Sequence, residues 1–332
     1  MDAVTLNKNG YDPFIDFIKG FCILSVVLTH SLPVWLQQHT LFSLWGGMAV
    51  PLFLMIQVFH AYKSGLDSSK KILSTKILKR IIIPFLVALL VIGAFRVLKG
   101  GMPLDVVALD FLKGGGGPGS YYPWIYVQFA VCLTLIRPVL RLLNFKQILL
   151  LFVILSILLE VACSVFDIHP KLYRVTIFRY VFLIALGLDW IYNGIVLEKK
   201  RVLFSIVGIC FIVFFEYADL NMEPVFLHTD WRAYHWVCYF YMAWLLAYLL
   251  KFAYNVLGDG CRRFLLKCGK YSYEVFLLQM IVFSIVGKHL FSFVSKPYDL
   301  LLWFLFVNFM SVVPVLAFKD IFAKRLKKNE LR

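Results

Sequence analysis

The sequence predicts an all-α, polytopic integral membrane protein of about ten transmembrane helices, with both termini in the cytoplasm. Three observations lead there. Hydrophobic residues make up 61% of the 332 residues and charged ones only 16%, an apolar surplus that one soluble core cannot absorb and lipid can. Apolar runs of spanning length recur from end to end and leave no polar half for a soluble domain, so residues 1–332 read as one membrane domain. The basic residues, which give a net charge of +15, fall in short clusters between those runs. Charges held at a membrane face explain that spacing, and it excludes nucleic acid as a partner.

Spans are expected near 14–36, 41–62, 81–98, 122–143, 147–165, 176–193, 202–217, 233–252, 273–295 and 300–318. The first lies where a signal peptide would. It lacks a small-residue cleavage site and reads as a retained helix. With the N-terminus inside, 24 of the 34 Lys and Arg residues fall on the cytoplasmic side, the asymmetry that the positive-inside rule requires. The seven cysteines are scattered singly without a CxxC pair, as small core residues rather than a disulfide frame or a metal site. The outward loop at 99–121 contains GGGGPGSYY. It lacks the Lys of a phosphate loop and reads as a flexible connection.

Candidate chemistry begins on the first helix. Asp12 and Pro13 form an N-cap and first-turn pair. Lys19 and His30 are eleven residues apart, which leaves a net rotation of about 20° and an axial gap of about 16 Å. Asp16 lies on the same stripe, about 40° from His30, with Cys22, Ile23 and Val26 between. An imidazole within a spanning segment points to function, proton transfer above all. The alternative is a histidine bonded to a neighbouring helix, with Asp16 and Lys19 pairing only with each other. Lys76, Lys79 and Arg80 precede the helix at Pro84. They suit either a topology anchor or an anion site, and Arg80 has the better geometry for phosphate. Gln57, His60, Tyr121, Tyr122, Trp124, Gln128, Glu160, Arg179 and Gln279 are further polar or aromatic groups within apolar runs. Each serves either a site or a tie between helices, and Glu160 and Arg179 are candidates to pair.

Taken in order, these features resemble the membrane-bound acyltransferase 3 family, which includes bacterial surface-polysaccharide O-acetyltransferases. The resemblance rests on Asp16, Lys19-Gly20 and His30 at the family's spacing. It continues through the basic cluster before Ile-Ile-Ile-Pro84, GPGSYY, FRYVFLIALG and GKYSYEVFLLQM. It implies acetyl-CoA or another acyl-CoA as donor, with no metal. It further implies a hydroxyl of a surface or lipid-linked glycan as acceptor, and the bacterial inner membrane as location. The family's essential histidine corresponds to His30, its basic partner to Lys19 and its second basic site to Arg80 with Lys76. Asp16 then orients Lys19, and Tyr122, Gln128, Arg179 and Gln279 are expected to bind substrate. The chain departs from the family pattern in three places. Lys19 replaces the commoner Arg, Gln279 stands where many members have His, and Gln57 lies near a segment that is often Ser-Gly. The rival reading is a transporter or flippase for a lipid-linked glycan or amphipathic solute. The sequence lacks the paired, interrupted helices common in such proteins.

Overall fold

A computed structural model describes residues 12–32, 36–37, 40–66, 75–217, 235–286 and 297–330. Among them every regular element is helical and no strand occurs. Helix α1 spans Pro13–Ser31. The Asp12 carboxylate accepts from the Phe14 backbone N–H at 2.9 Å and Pro13 sits in the first turn, so the predicted cap forms. Two short turns, Phe42–Trp45 and Gly46–Met48, lead into α2 (Ala49–Tyr62). A π-helical turn at Leu78–Ile82 leads into α3 (Ile83–Leu98), and α4 (Leu104–Leu112) follows. Next come α5 (Tyr122–Leu140), α6 (Phe145–Val165), α7 (Leu183–Asn193) and α8 (Lys199–Tyr217). The last four are α9 (Met242–Val256), α10 (Asp259–Lys270), α11 (Ser272–Ile285) and α12 (Pro297–Glu330).

Among the described residues, eight helical stretches are long and apolar enough to cross a membrane: Pro13–Ser31, Phe42–Tyr62, Leu78–Leu98, Tyr122–Leu140, Phe145–Val165, Leu172–Asn193, Trp236–Val256 and Leu301–Ile321. They coincide with eight of the ten expected spans. The seventh expected span falls on α8, whose apolar run is hemmed in by Lys199, Lys200, Arg201 and Glu216. The ninth falls on α11, which has 14 residues and is therefore only about 21 Å long at 1.5 Å per residue. The rest of that expected span lies outside the described residues, as do the polar loop at 218–232 and most of the basic loop after Lys63.

Helices α2 and α7 are mostly buried, whereas α3, α6 and α12 turn one face outward. Leu90, Leu150 and Leu302 are more than half exposed there, as is Leu135 of α5, as lipid-facing side chains are. Lipid competes for apolar contact, so such helices hold together by close packing and polar ties. Gly187 of α7 lies so close to α2 that a Cβ would overlap Val58.

Helix α10 was not expected, because its residues read as part of a basic loop. It is an amphipathic helix carrying Arg262, Arg263, Lys267 and Lys270, and it packs across the N-terminal end of α1. The crossing is made by two glycines. A Cβ on Gly20 would overlap the Leu265 carbonyl, and one on Gly269 would overlap the Asp16 carbonyl. This end of α1 is called the basic end below.

Two further pairings frame the interior. Helix α11 runs parallel to α1. Near its start the Tyr273 hydroxyl donates to the Ile81 carbonyl of the π-helical turn at 2.6 Å, and near its end Phe283 packs edge-on against His30, ring centroids 6.1 Å apart. Helix α2 runs parallel to α5. The Gln57 amide donates to the Tyr126 carbonyl at 2.9 Å and the Tyr62 hydroxyl donates to the Leu133 carbonyl farther along both helices.

Candidate active site

Helix α1 is continuous from Pro13 to Ser31, so the stripe of Asp16, Lys19 and His30 exists as the spacing predicts. At the basic end the Lys19 ammonium pairs with the Asp16 carboxylate at 2.5 Å, with 8% of the Asp16 side chain exposed and 25% of the Lys19 side chain. The pairing foreseen as the simpler alternative is thus present. It holds Lys19 at a fixed place, partly open, beside the α1–α10 crossing. Between it and His30 the stripe is closed by Cys22, Ile23 and Val26, all buried.

His30 is only partly covered. Phe283 supports one side of its ring, and Arg174 is the nearby cation that acts on it electrostatically. Arg174 lies over the Tyr121 ring at 5.3 Å, and the buried Arg179 lies over the same ring at 5.7 Å and over Tyr180 at 4.7 Å. Gln128 donates to the Val175 carbonyl at 2.6 Å, which ties α5 to the segment carrying Arg174. Arg179 thus shares an aromatic platform with Arg174, and Gln128 anchors the segment that carries both. Sequence reasoning missed Arg174. A cation five residues before Arg179, within LYRVTIFRY, was the available signal.

Tyr122 occupies the middle of the stripe. Its ring packs against Phe53 of α2 and Phe276 of α11, both at 5.9 Å, and its hydroxyl lies near Cys22 of α1 and near Tyr126 and Tyr273. Gln279 is fully buried on α11, one turn before Phe283, and its amide donates to the Pro118 carbonyl at 3.1 Å. Its Oε1 has no hydrogen-bond partner, and the same is true of Gln57 Oε1.

The glycine-rich loop is not the loose connection expected. It packs on α11, where a Cβ on Gly117 would overlap Ser284 and Met280 and one on Gly119 would overlap Phe276. Gly119 also has φ +79°, a conformation that favours glycine. Arg96 pins the loop from below, pairing with Asp110 at 2.6 Å and donating to the Gly115 carbonyl at 3.1 Å.

Arg80 is exposed on the π-helical turn, which Tyr273 joins to the start of α11. Such turns often mark functional positions. Lys76 lies in the helical turn Thr75–Ile77, and its side chain is outside the described residues. Glu160 was expected as a candidate partner of Arg179. Its carboxylate accepts from the Tyr173 hydroxyl at 2.7 Å and meets Nε2 of the fully buried His235 at 3.1 Å. Sequence reasoning also missed His235 and a buried ion pair between Asp189 and Arg201 at 2.9 Å.

The structure therefore gathers Asp16, Lys19, Tyr122, Gln279 and His30 along one seam between α1, α5 and α11. Arg80 stands near the basic end, and Arg174 stands near the histidine end, with Arg179 beside it over the same Tyr121 ring. Among the described residues no group of three or more His, Cys, Asp or Glu side chains is placed to hold a metal ion. Such a seam sets a cation at one end and an imidazole at the other, with an apolar stretch between them. A family model described as an acyltransferase domain, Acyl_transf_3, matches residues 12–319. No curated protein and no solved structure matches the chain.

Proposed function

This multi-pass membrane protein belongs to the acyltransferase 3 family, and from that premise we propose that it moves an acyl group, acetyl by preference, from acyl-CoA to a hydroxyl of a surface or lipid-linked glycan. The observation that carries this reading is the seam itself. It runs from a cationic end at Lys19 to His30, about 16 Å away along one unbroken helix. That length suits an extended pantetheine arm. The phosphates of CoA cannot enter lipid and stay at the basic end with Lys19, Arg80 and Lys76. Asp16 orients Lys19. The thioester then reaches His30.

His30 acts as general base. Its imidazole takes the proton of the acceptor hydroxyl as the oxygen attacks the thioester carbonyl. Collapse of the tetrahedral intermediate breaks the C–S bond, and the imidazolium returns its proton to the departing CoA thiolate. A transient acyl-histidine is the other route that the same residue allows. Phe283 holds the ring. Tyr122, Gln128, Arg179 and Gln279 line or brace the substrate path. The positive-inside charge distribution supports ten crossings with both termini in the cytoplasm, and the resemblance to bacterial surface-polysaccharide O-acetyltransferases supports residence in the bacterial inner membrane.

The test uses membrane vesicles with labelled acetyl-CoA, together with mass analysis of the surface glycan. His30→Ala should abolish label transfer while the protein remains inserted. Full retained activity in that variant sinks the mechanism. Loss of the entire polymer on deletion, rather than loss of an ester, would instead favour transport.

A further inference from the structure

Two buried carboxamides, Gln279 on the seam and Gln57 on α2 beside it, share an unusual state. Gln57 is 7% exposed and Gln279 0%. Each amide nitrogen donates to a backbone carbonyl, of Tyr126 and Pro118 respectively. A carbonyl can only accept, so the NH2 group must face it in both residues and neither amide can be flipped. Each Oε1 therefore points away from its tie, buried and without a donor. An acceptor left in that state costs free energy, and a residue kept so is explained by a donor that arrives with a ligand.

Their positions say which ligand. Gln279 lies one helical turn, about 6 Å, before Phe283, the residue in contact with His30. Gln57 lies one turn past Phe53, which packs on Tyr122, and α2 there runs toward the basic end with α5. The two oxygens are thus staggered along the path, Gln279 near the histidine and Gln57 nearer the cations. The arm of an acyl-CoA carries two amide N–H groups in the same stagger, one close to the thioester and one farther toward the phosphates.

We infer that Gln279 Oε1 accepts from the thioester-proximal amide N–H of the donor arm and Gln57 Oε1 from the distal one. This makes both residues substrate-binding groups that set the register of the arm against His30. It rests on the reading that the donor is an acyl-CoA. A donor without amides leaves both oxygens unpaired and loses the register.

A series of acetyl thioesters tests it on the purified full-length protein: acetyl-CoA, S-acetylpantetheine with both amides, S-acetyl-N-acetylcysteamine with the proximal amide only, and an S-acetyl alkanethiol with none. For the wild-type protein each amide removed should lower kcat/KM by about five- to tenfold. Gln57→Leu should erase the step between pantetheine and N-acetylcysteamine donors, and Gln279→Leu the step between N-acetylcysteamine and alkanethiol donors. Acceptor KM should not move. Equal use of all three short thioesters by the wild type overturns the inference without any variant, so a poorly folding variant does not protect it. A change confined to acceptor KM overturns it too, and assigns the oxygens to the glycan. Absence of any transfer from acetyl-CoA by the wild type strikes the donor reading instead.

Discussion

At the scale of single residues, the site turns on which polar groups are held and which are left open. Lys19 is held by Asp16 yet keeps a quarter of its side chain exposed, which the proposed contact with a donor phosphate requires. Lys19→Ala should raise donor KM about tenfold, the loss of one charge-assisted contact, with little change in acceptor KM. Lys19→Arg should preserve or lower donor KM, since guanidinium can grip a phosphate with two bonds. Steady-state kinetics with each substrate varied in turn would show either pattern. Glu160 is a different case. Its carboxylate is buried between Tyr173 and His235, so Glu160→Ala should cost on the order of 3 kcal/mol in stability by stranding its partners. A detergent melting curve reads that loss. An unchanged melting curve with altered acceptor kinetics would move Glu160 from scaffold to site.

At the scale of elements, the decisive contact is the crossing of α1 and α10. Gly20 and Gly269 bring the two backbones together beside Lys19, which gives the glycine in the Lys19-Gly20 pair a structural reason. Gly269→Leu should cost about 1–3 kcal/mol through overpacking and push α10 from the basic end. Cys268 reports on that motion. Burial pushes its thiol up to about 11, against the opposing pull of the Lys267 ammonium. A thiol with a raised pKa holds almost no thiolate at pH 7.5, so Cys268 should resist maleimide in the wild type and react in Gly269→Leu. Unchanged labelling would place the cost of the substitution elsewhere. The glycine-rich loop makes a comparable contact at the histidine end. Gly117→Val has to displace Ser284 or Met280, and it should lower turnover by moving α11 and with it Phe283.

At the scale of the whole molecule, the topology can be checked with one thiol. Cys261 is exposed on α10, so in a single-cysteine variant a membrane-impermeant maleimide should label it in inside-out vesicles and not in intact spheroplasts. The reverse pattern would invert every span. Much of this molecule was legible in its sequence. Eight of the spans, the Asp12 cap and the Asp16–Lys19–His30 stripe follow from local rules, because lipid demands a run of apolar residues and a helix has a fixed repeat. The rest depended on which helices meet. The close packing of Asp259–Lys270 on α1 depends on two glycines about 250 residues apart in the chain, and no local pattern reveals that they touch. The packing of the glycine loop, the burial of Arg201 with Asp189, and the partners of Glu160 are likewise contacts between distant segments. The sequence by itself determined that the chain crosses a membrane and that its first helix aligns a cation with a histidine, since both follow from hydropathy and helical periodicity. Only the tertiary structure decided what lies beside that line, because a side chain's partners are chosen by helix packing and not by its neighbours in sequence.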